Sequence, residues 1–381
     1  MANQISTSQS PAQRVTFPTP TQGADSGCHE RSGDHHVATS GSGERHSARR
    51  SAGAFASAKG RRTYWLILIG LIVAGLAFAF GLLAYGNPMP VGTEAFWLLA
   101  ERRMNAVIAI AIVALCQSLA TVAFHTVTNN RIITPSIMGF ESLYVALHTA
   151  TVYFLGVAGL DAGRSTPMYL AQIGLMVIVA VMLYGWLLTG KHGNMHSLLL
   201  VGIVMGAGLG SISTFLQRML TPSEFDVLTA RLFGSVSNAD PAYFPISLVL
   251  VGLAAAGLLA MGRRLNVMSL GPDATTNLGL NHRRITILVL VLVTVLMAVS
   301  TALVGPMTFL GFLVATLAYQ FAGTHDHRFV FPMAFATAFV VLTSAYFVMN
   351  HVFYAQGVVS IIIELVGGSL FLYVILRKGK L

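Results

Sequence analysis

WLILIGLIVAGLAFAFGLLAY, residues 65–85, runs for 21 positions without a charged side chain. About 20 predominantly apolar residues are what a helix needs to cross the hydrocarbon core of a bilayer. Arg61-Arg62 in front of this run and Ala77-Phe78-Ala79 inside it imitate a secretory leader. The apolar run is too long for such a leader, and so are the 60 residues ahead of it, so it reads as a first spanning helix. Comparable stretches recur to the end of the chain at 104–125, 139–157, 168–189, 197–218, 243–261, 285–304, 307–322, 330–349 and 358–376. The sequence therefore predicts an all-α polytopic membrane protein with about ten transmembrane helices.

Composition excludes the other classes. Of 381 residues, 55% are hydrophobic and 10% charged, whereas soluble domains carry about 25% charged residues. The 37 glycines have no three-residue period and there are two cysteines, which removes collagen and disulfide scaffolds. Continuous apolar runs, rather than alternating segments of about ten residues, remove a membrane barrel. The net charge of +9 reads as basic loops on one membrane face rather than as a nucleic-acid surface. With ten spans both termini share a side. That side then takes 18 of the 23 Lys and Arg, leaving Arg102, Arg103, Arg164, Arg218 and Arg231 opposite. By the positive-inside rule the termini are cytoplasmic.

Residues 1–60 are rich in Ser, Gly, Thr and His and poor in large apolar side chains, the composition of a disordered cytoplasmic tail. Cys28, His29, His35, His36 and His46 lie there without zinc-finger spacing, so no metal site is assigned. Residues 61–381 form the membrane domain. The chain has no GxxxxGK phosphate loop, no HExxH and no GxSxG, so no catalytic residue is expected and any energy must come from a partner or an ion gradient.

Several features invite function. Glu141 and Glu364 lie within spans, where a charge costs about 2.5–3.5 kcal/mol and needs a partner, water or a proton. They read either as a relay for protons or cations, or as helix-packing or pore-lining groups. Gly202, Gly206 and Gly210 form GxxxGxxxG, which lets backbones approach closely, either within the chain or at a subunit interface lining a path. Between Gly262 and Arg284 the sequence GRRLNVMSLGPDATTNLGLNHRR predicts a short helix. Asp273 suits its start and Gly279 its end. This is either a solvated loop or a docking element.

Four stretches in this order resemble the FecCD-type permeases of iron–siderophore, haem and cobalamin ABC importers. The first is Arg103 to Gln117 with Thr128-Asn129-Asn130-Arg131-Ile132-Ile133-Thr134-Pro135-Ser136-Ile137-Met138-Gly139. The second is Leu199 to Gly206. The third is Leu265 to Asn281. The last is Val304-Gly305-Pro306-Met307-Thr308-Phe309-Leu310-Gly311 with Asp326-His327-Arg328 and Pro332. The resemblance covers roughly 64–378 and implies a type II ABC importer fold and a pore-forming subunit for a ferric siderophore, with the catecholate branch closest. It also implies partners. These are a second permease (self or, as favoured, a paralogue), two cytoplasmic ATPases holding ATP and magnesium, an extracytoplasmic binding protein and membrane lipid, with no cofactor in this chain and no nucleic acid.

Residue by residue, the resemblance implies binding-protein docking by Arg102, Arg103 and Arg231. It places a cytoplasmic gate at Asn130, Arg131, Ile132 and Asn194, and ATPase coupling at Ser269, Leu270, Gly271, Leu278 and Gly279. The translocation path or subunit interface falls to Gly202, Gly206, Gly210 and Glu364. Departures from the family pattern fall at Met104-Asn105-Ala106, Ala315-Thr316, Tyr354-Ala355 and Gly367-Gly368-Ser369. The rival functions are an ion-coupled secondary transporter using the two glutamates, a receptor or scaffold, and an ABC permease for haem, cobalamin or bare metal ion.

Overall fold

A computed structural model describes residues 53–55, 57–85, 92–162, 165–189, 195–236, 239–351 and 359–378. Among them are thirteen α-helices and no strand. They are α1 (Ala58–Ala84), α2 (Glu94–Thr128), α3 (Phe140–Ala162), α4 (Thr166–Thr189), α5 (Met195–Arg218), α6 (Pro222–Leu232), α7 (Phe244–Ala260), α8 (Gly262–Met268), α9 (Pro272–Asn277), α10 (His282–Val304), α11 (Leu310–Ala322), α12 (His327–His351) and α13 (Val359–Lys378). Among the described residues, seven helices are long and apolar enough to cross a membrane, and shorter apolar ones lie at Thr166–Met182, Leu310–Ala322 and Val359–Tyr373. Together these ten match the ten predicted stretches.

α2 is the central post. Its last two-thirds is almost wholly buried, and it packs against α10, α12, α7 and α11. α10 packs in turn on α2, α4 and α7. The arrangement repeats: α2 lies on α12 as α10 lies on α4. Several of the polar groups in this core find partners inside it. Thr294, Thr337 and Thr343 each donate to a carbonyl of their own helix, while Gln117 Nε2 reaches Ser300 Oγ across the α2–α10 contact at 3.2 Å.

α2 and α10 each end in a break before the next apolar helix. After α2 the chain turns through Asn129 (φ 48°) and a 3-10 turn at Pro135–Met138 before α3. After α10 it turns at Gly305 (φ 92°), with Pro306 to Phe309 leading to α11. Thus the eighth stretch, expected from 307, becomes helical only at Leu310. Gly305 is required twice over. Its φ excludes a side chain, and a Cβ there would lie 3.1 Å from Gly234 Cα.

The glycine motif of α5 resolves by position. Cβ atoms on Gly202 and Gly206 would meet Met138 and Gly139 at 3.0 and 3.1 Å, whereas nothing lies within 4 Å of Gly210. Gly202 and Gly206 therefore pack within the chain against the turn before α3, while the position of Gly210 is open. Two helices were not anticipated. α6 follows Thr221-Pro222-Ser223-Glu224, and α8 continues directly from α7. The tail at 1–60 and Asn194 fall outside the described residues, save 53–55 and 57–60.

The two kinds of α5 glycine should respond differently to a side chain. Gly206→Leu is expected to destabilise the chain by about 1–3 kcal/mol through overpacking against Gly139. Gly210→Leu should leave the melting temperature of the purified chain in detergent within error of wild type. Equal losses would mean that α5 does not pack as described.

Candidate functional site: the two ends of the bundle

At the end of the bundle carrying α6, a carboxylate closes the α10–α11 break. Glu141, in the first turn of α3, is buried, and its Oε1 accepts from Met307 N–H at 3.1 Å. Its Oε2 accepts from Thr308 Oγ1 at 2.6 Å. Val304 C=O accepts from Ser235 N–H at 2.8 Å and Gly305 N–H donates to Thr301 C=O. The break thus has its own donors and acceptors met by the chain. Of the two readings open for Glu141, the geometry is that of a packing group.

Arg103 is likewise committed. Its guanidinium donates to the carbonyls of Leu82, Leu83 and Tyr85 at 2.9–3.3 Å, closing the C-terminal end of α1. Neighbouring Arg102 is exposed. α6 is an amphipathic helix whose exposed Glu224 accepts from Thr221 N–H at 3.0 Å and from its hydroxyl at 2.8 Å. These bonds hold the Glu224 carboxyl below the usual carboxylate range. Arg231, in the last turn of α6, lines a cavity of about 470 Å³ together with Tyr144, His148, Tyr169, Gln172 and Tyr243. Tyr169 and Tyr243 stack there at 4.4 Å, and Gln172 Nε2 lies 3.3 Å from His148 Nε2.

At the opposite end of α7, the expected coupling stretch is two helices joined at a right-handed exit. α8 ends at Met268, Ser269 to Gly271 form a link, and α9 begins at Pro272. Leu265, Met268 and Thr275 are buried and fix both helices to the bundle. Leu270 and Leu278, in contrast, are 65% and 62% exposed. Gly279 takes φ 80°, as its place after the helix requires.

The expected gate segment lies beside this element. Ile132 N–H donates to Asn130 Oδ1 at 2.9 Å, and the Arg131 guanidinium sits 4.6 Å over the Tyr319 ring of α11. Sequence reasoning passed over Thr126 and Asn266, which His327 bridges. His327 lies in the Asp326-His327-Arg328 stretch, but its partners are 201 and 61 residues away and no local pattern marks them. Glu364 is exposed on α13 beside Leu365 and Val366, so α13 has an uncovered face interrupted by an acid. Among the described residues no group of three or more His, Cys, Asp or Glu is gathered as a metal site.

A bundle of apolar helices with two breaks, a short-helix element at one end and uncovered apolar faces on α5 and α13 is the architecture of a membrane transport subunit. The comparisons with known proteins agree. Residues 67–377 match the FecCD transport family. The petrobactin import system permease protein FatC of Bacillus anthracis is 54% identical over 336 residues, covering 88% of this chain and 95% of that protein. The petrobactin import system permease protein FatD of the same organism is 23% identical over 324 residues, covering 84% and 92%. A solved inward-facing ABC transporter of the metal-chelate type superposes with a TM-score of 0.69 at 21% identity, covering 82% of this chain and 99% of that one. The chain belongs to the FecCD transport family.

Removing the Glu141 carboxylate while keeping its shape separates its two readings. Glu141→Gln keeps an acceptor for Met307 N–H and should retain both fold and transport. Glu141→Ala strands the buried Met307 N–H and the half-buried Thr308 hydroxyl and should cost about 1–3 kcal/mol for the buried donor, read as a lowered melting temperature. A stable Glu141→Gln chain that no longer transports would restore the relay.

Proposed function

We propose that this chain is the pore-forming permease of an ATP-driven importer that carries a ferric siderophore, of the class petrobactin represents, across the cytoplasmic membrane. The observation that carries this reading is the α8–α9 element. It is anchored by buried Leu265 and Met268, yet presents Leu270 and Leu278 to water beyond the ends of the apolar helices. A chain without a phosphate loop needs an external source of work, and such a knob fits a cleft on a nucleotide-hydrolysing partner. Two ATPases, holding ATP and magnesium, would bind there. The chelate class is taken from FatC, which is named for petrobactin import.

The rest of the assembly follows from uncovered surface. α5 leaves Leu200, Val204, Ile212 and Phe215 exposed, and α13 leaves Glu364, Leu365 and Val366. A carboxylate facing lipid is expensive, so the α13 face is best turned to a second permease and a hydrated path between the two. FatC and FatD, two unlike permeases named for one import system, favour a divergent paralogue as that partner. With both termini cytoplasmic, the α6 end faces outward. Arg102 and Arg231 then serve the binding protein, and Arg103 positions α1 beneath them. Asn130, Arg131 and Ile132 close the path on the inner side.

Uptake of radioactive iron as the ferric petrobactin chelate, measured in cells with and without the chain, tests the assignment. Loss confined to that class of chelate is the expected result. Loss of haem or bare-iron uptake instead would move the substrate to another branch. The coupling role has its own test. Gly279→Val should leave the chain in the membrane, because the site is exposed and clear of neighbours. It should nevertheless release the ATPase or separate hydrolysis from uptake, because a β-branched residue does not adopt φ 80°. Retained ATPase and full uptake would remove α9 from the drive.

A further inference from the structure

His327, first residue of α12, joins three elements at the α8 end of the bundle. Its Nδ1 lies 2.6 Å from Asn266 Oδ1 on α8, and its backbone N–H donates to the same oxygen at 2.9 Å. Its Nε2 lies 2.6 Å from Thr126 Oγ1 in the last turn of α2. Asn266 Nδ2 donates to Asp326 Oδ1 at 2.8 Å, and that carboxylate also accepts from Arg328 N–H at 3.0 Å.

These partners determine where the protons sit. The Asn266 amide must turn its nitrogen to the Asp326 carboxylate, so its oxygen faces His327 and accepts from Nδ1–H. In the neutral ring Nε2 is then an acceptor, and the Thr126 hydroxyl donates to it. Thr126 has a second acceptor in reach, its own-helix Val122 carbonyl at 2.9 Å.

From Thr126 the bonding continues into the segment assigned to the inner gate. Asn129 N–H donates to Thr126 C=O at 3.4 Å, Thr128 Oγ1 to Asn130 C=O at 3.3 Å, and Ile132 N–H to Asn130 Oδ1 at 2.9 Å. A continuous chain of contacts therefore runs from α8, covalently followed by α9, to Ile132.

We infer that Asn266, His327 and Thr126 are positioning residues that transmit movement of the α8–α9 element to the α2 end and the Asn130–Ile132 segment, so that the state of the cytoplasmic partner sets the state of the inner mouth. This rests on the proposed role of α8–α9 in binding an ATPase. A transmission path needs an element with two arrangements, and the Thr126 hydroxyl is one. Held by His327, it ties α2 to α12 and α8. Released, it falls back to Val122, so α8 can withdraw without stranding a buried donor. Spatial contiguity alone would not establish coupling, whereas a switchable bond at the only side chain joining α2 to His327 among the hydrogen bonds of the described residues gives the path a physical step.

The test uses the whole importer in lipid nanodiscs, with Cys28→Ser removing the tail thiol and Ile132→Cys as reporter; Cys116 is buried. The maleimide labelling rate at position 132 is read with and without ATP and vanadate, alongside retention of the ATPase on affinity purification. Thr126→Val and Asn266→Ala are each expected to shrink the nucleotide-dependent change in labelling by about three- to tenfold while the ATPase stays bound. The double variant should be no worse than the worse single one, since both cut one path. Thr126→Ser, which keeps the hydroxyl, should restore the response. Thr337→Val serves as a control, because that buried hydroxyl bonds only to its own helix at Met333, and it should leave the response intact. Full nucleotide-dependent labelling in the double variant with ATPase bound overturns the inference alone. A parent complex that retains no ATPase overturns the permease reading, and the inference with it.

Discussion

Hydrocarbon offers no water to a broken helix, so every backbone group exposed by a break must be met from within the chain. The structure depends on satisfying that demand twice, after α2 and after α10. At the second break Glu141 supplies both carboxylate oxygens, Ser235 supplies an N–H, and Gly234 and Gly305 allow the backbones to touch. At the first, Asn130 folds its own side chain onto Ile132 N–H, and Gly139 lies against Gly206 of α5. Non-helical backbone at membrane depth thus becomes tolerable, and with it the short helix α11 that follows the second break.

The same economy explains which surfaces are left over. α2 and α10 consume partners on nearly every side, while α5 rests mainly on α3 and α13 on α11 and α12. The small face of α5 is turned inward onto Met138 and Gly139. The large side chains that α5 and α13 show outward are apolar, and Glu364 lies among those of α13. These outer faces are the ones the proposed second permease would cover.

The ten apolar helices are legible because length and hydropathy alone report on the bilayer, whatever the packing. α6 was legible too, since Thr221-Pro222-Ser223-Glu224 is an N-terminal signature, though its 11 residues are too few to register as an apolar span. α9 and its glycine exit follow from Pro272, Asp273 and Gly279, whereas α8 hides in a run that hydropathy assigns to the membrane edge. The glycine triplet shows where pattern reading stops. GxxxGxxxG states that backbones approach, not which one, and two of the three glycines met a turn 60 residues earlier in the same chain. Glu141 and Arg103 were conspicuous as charges, but their partners are distant backbone atoms, and no residue-type pattern records a carbonyl at Leu82 or an amide at Met307.

Residues 53–55, just ahead of α1, are held by the turn between α11 and α12. Ala54 C=O accepts from Thr324 Oγ1 at 2.5 Å, and Phe55 sits 5.4 and 4.9 Å from the rings of Tyr64 and Phe329. Tyr64 in turn donates to Phe329 C=O across 265 positions of sequence. Since α1 leans chiefly on α12, the first apolar helix to leave the ribosome cannot take its seat until the ninth has been made. Until then it has α2 and α11 to lean on, each by a far smaller contact.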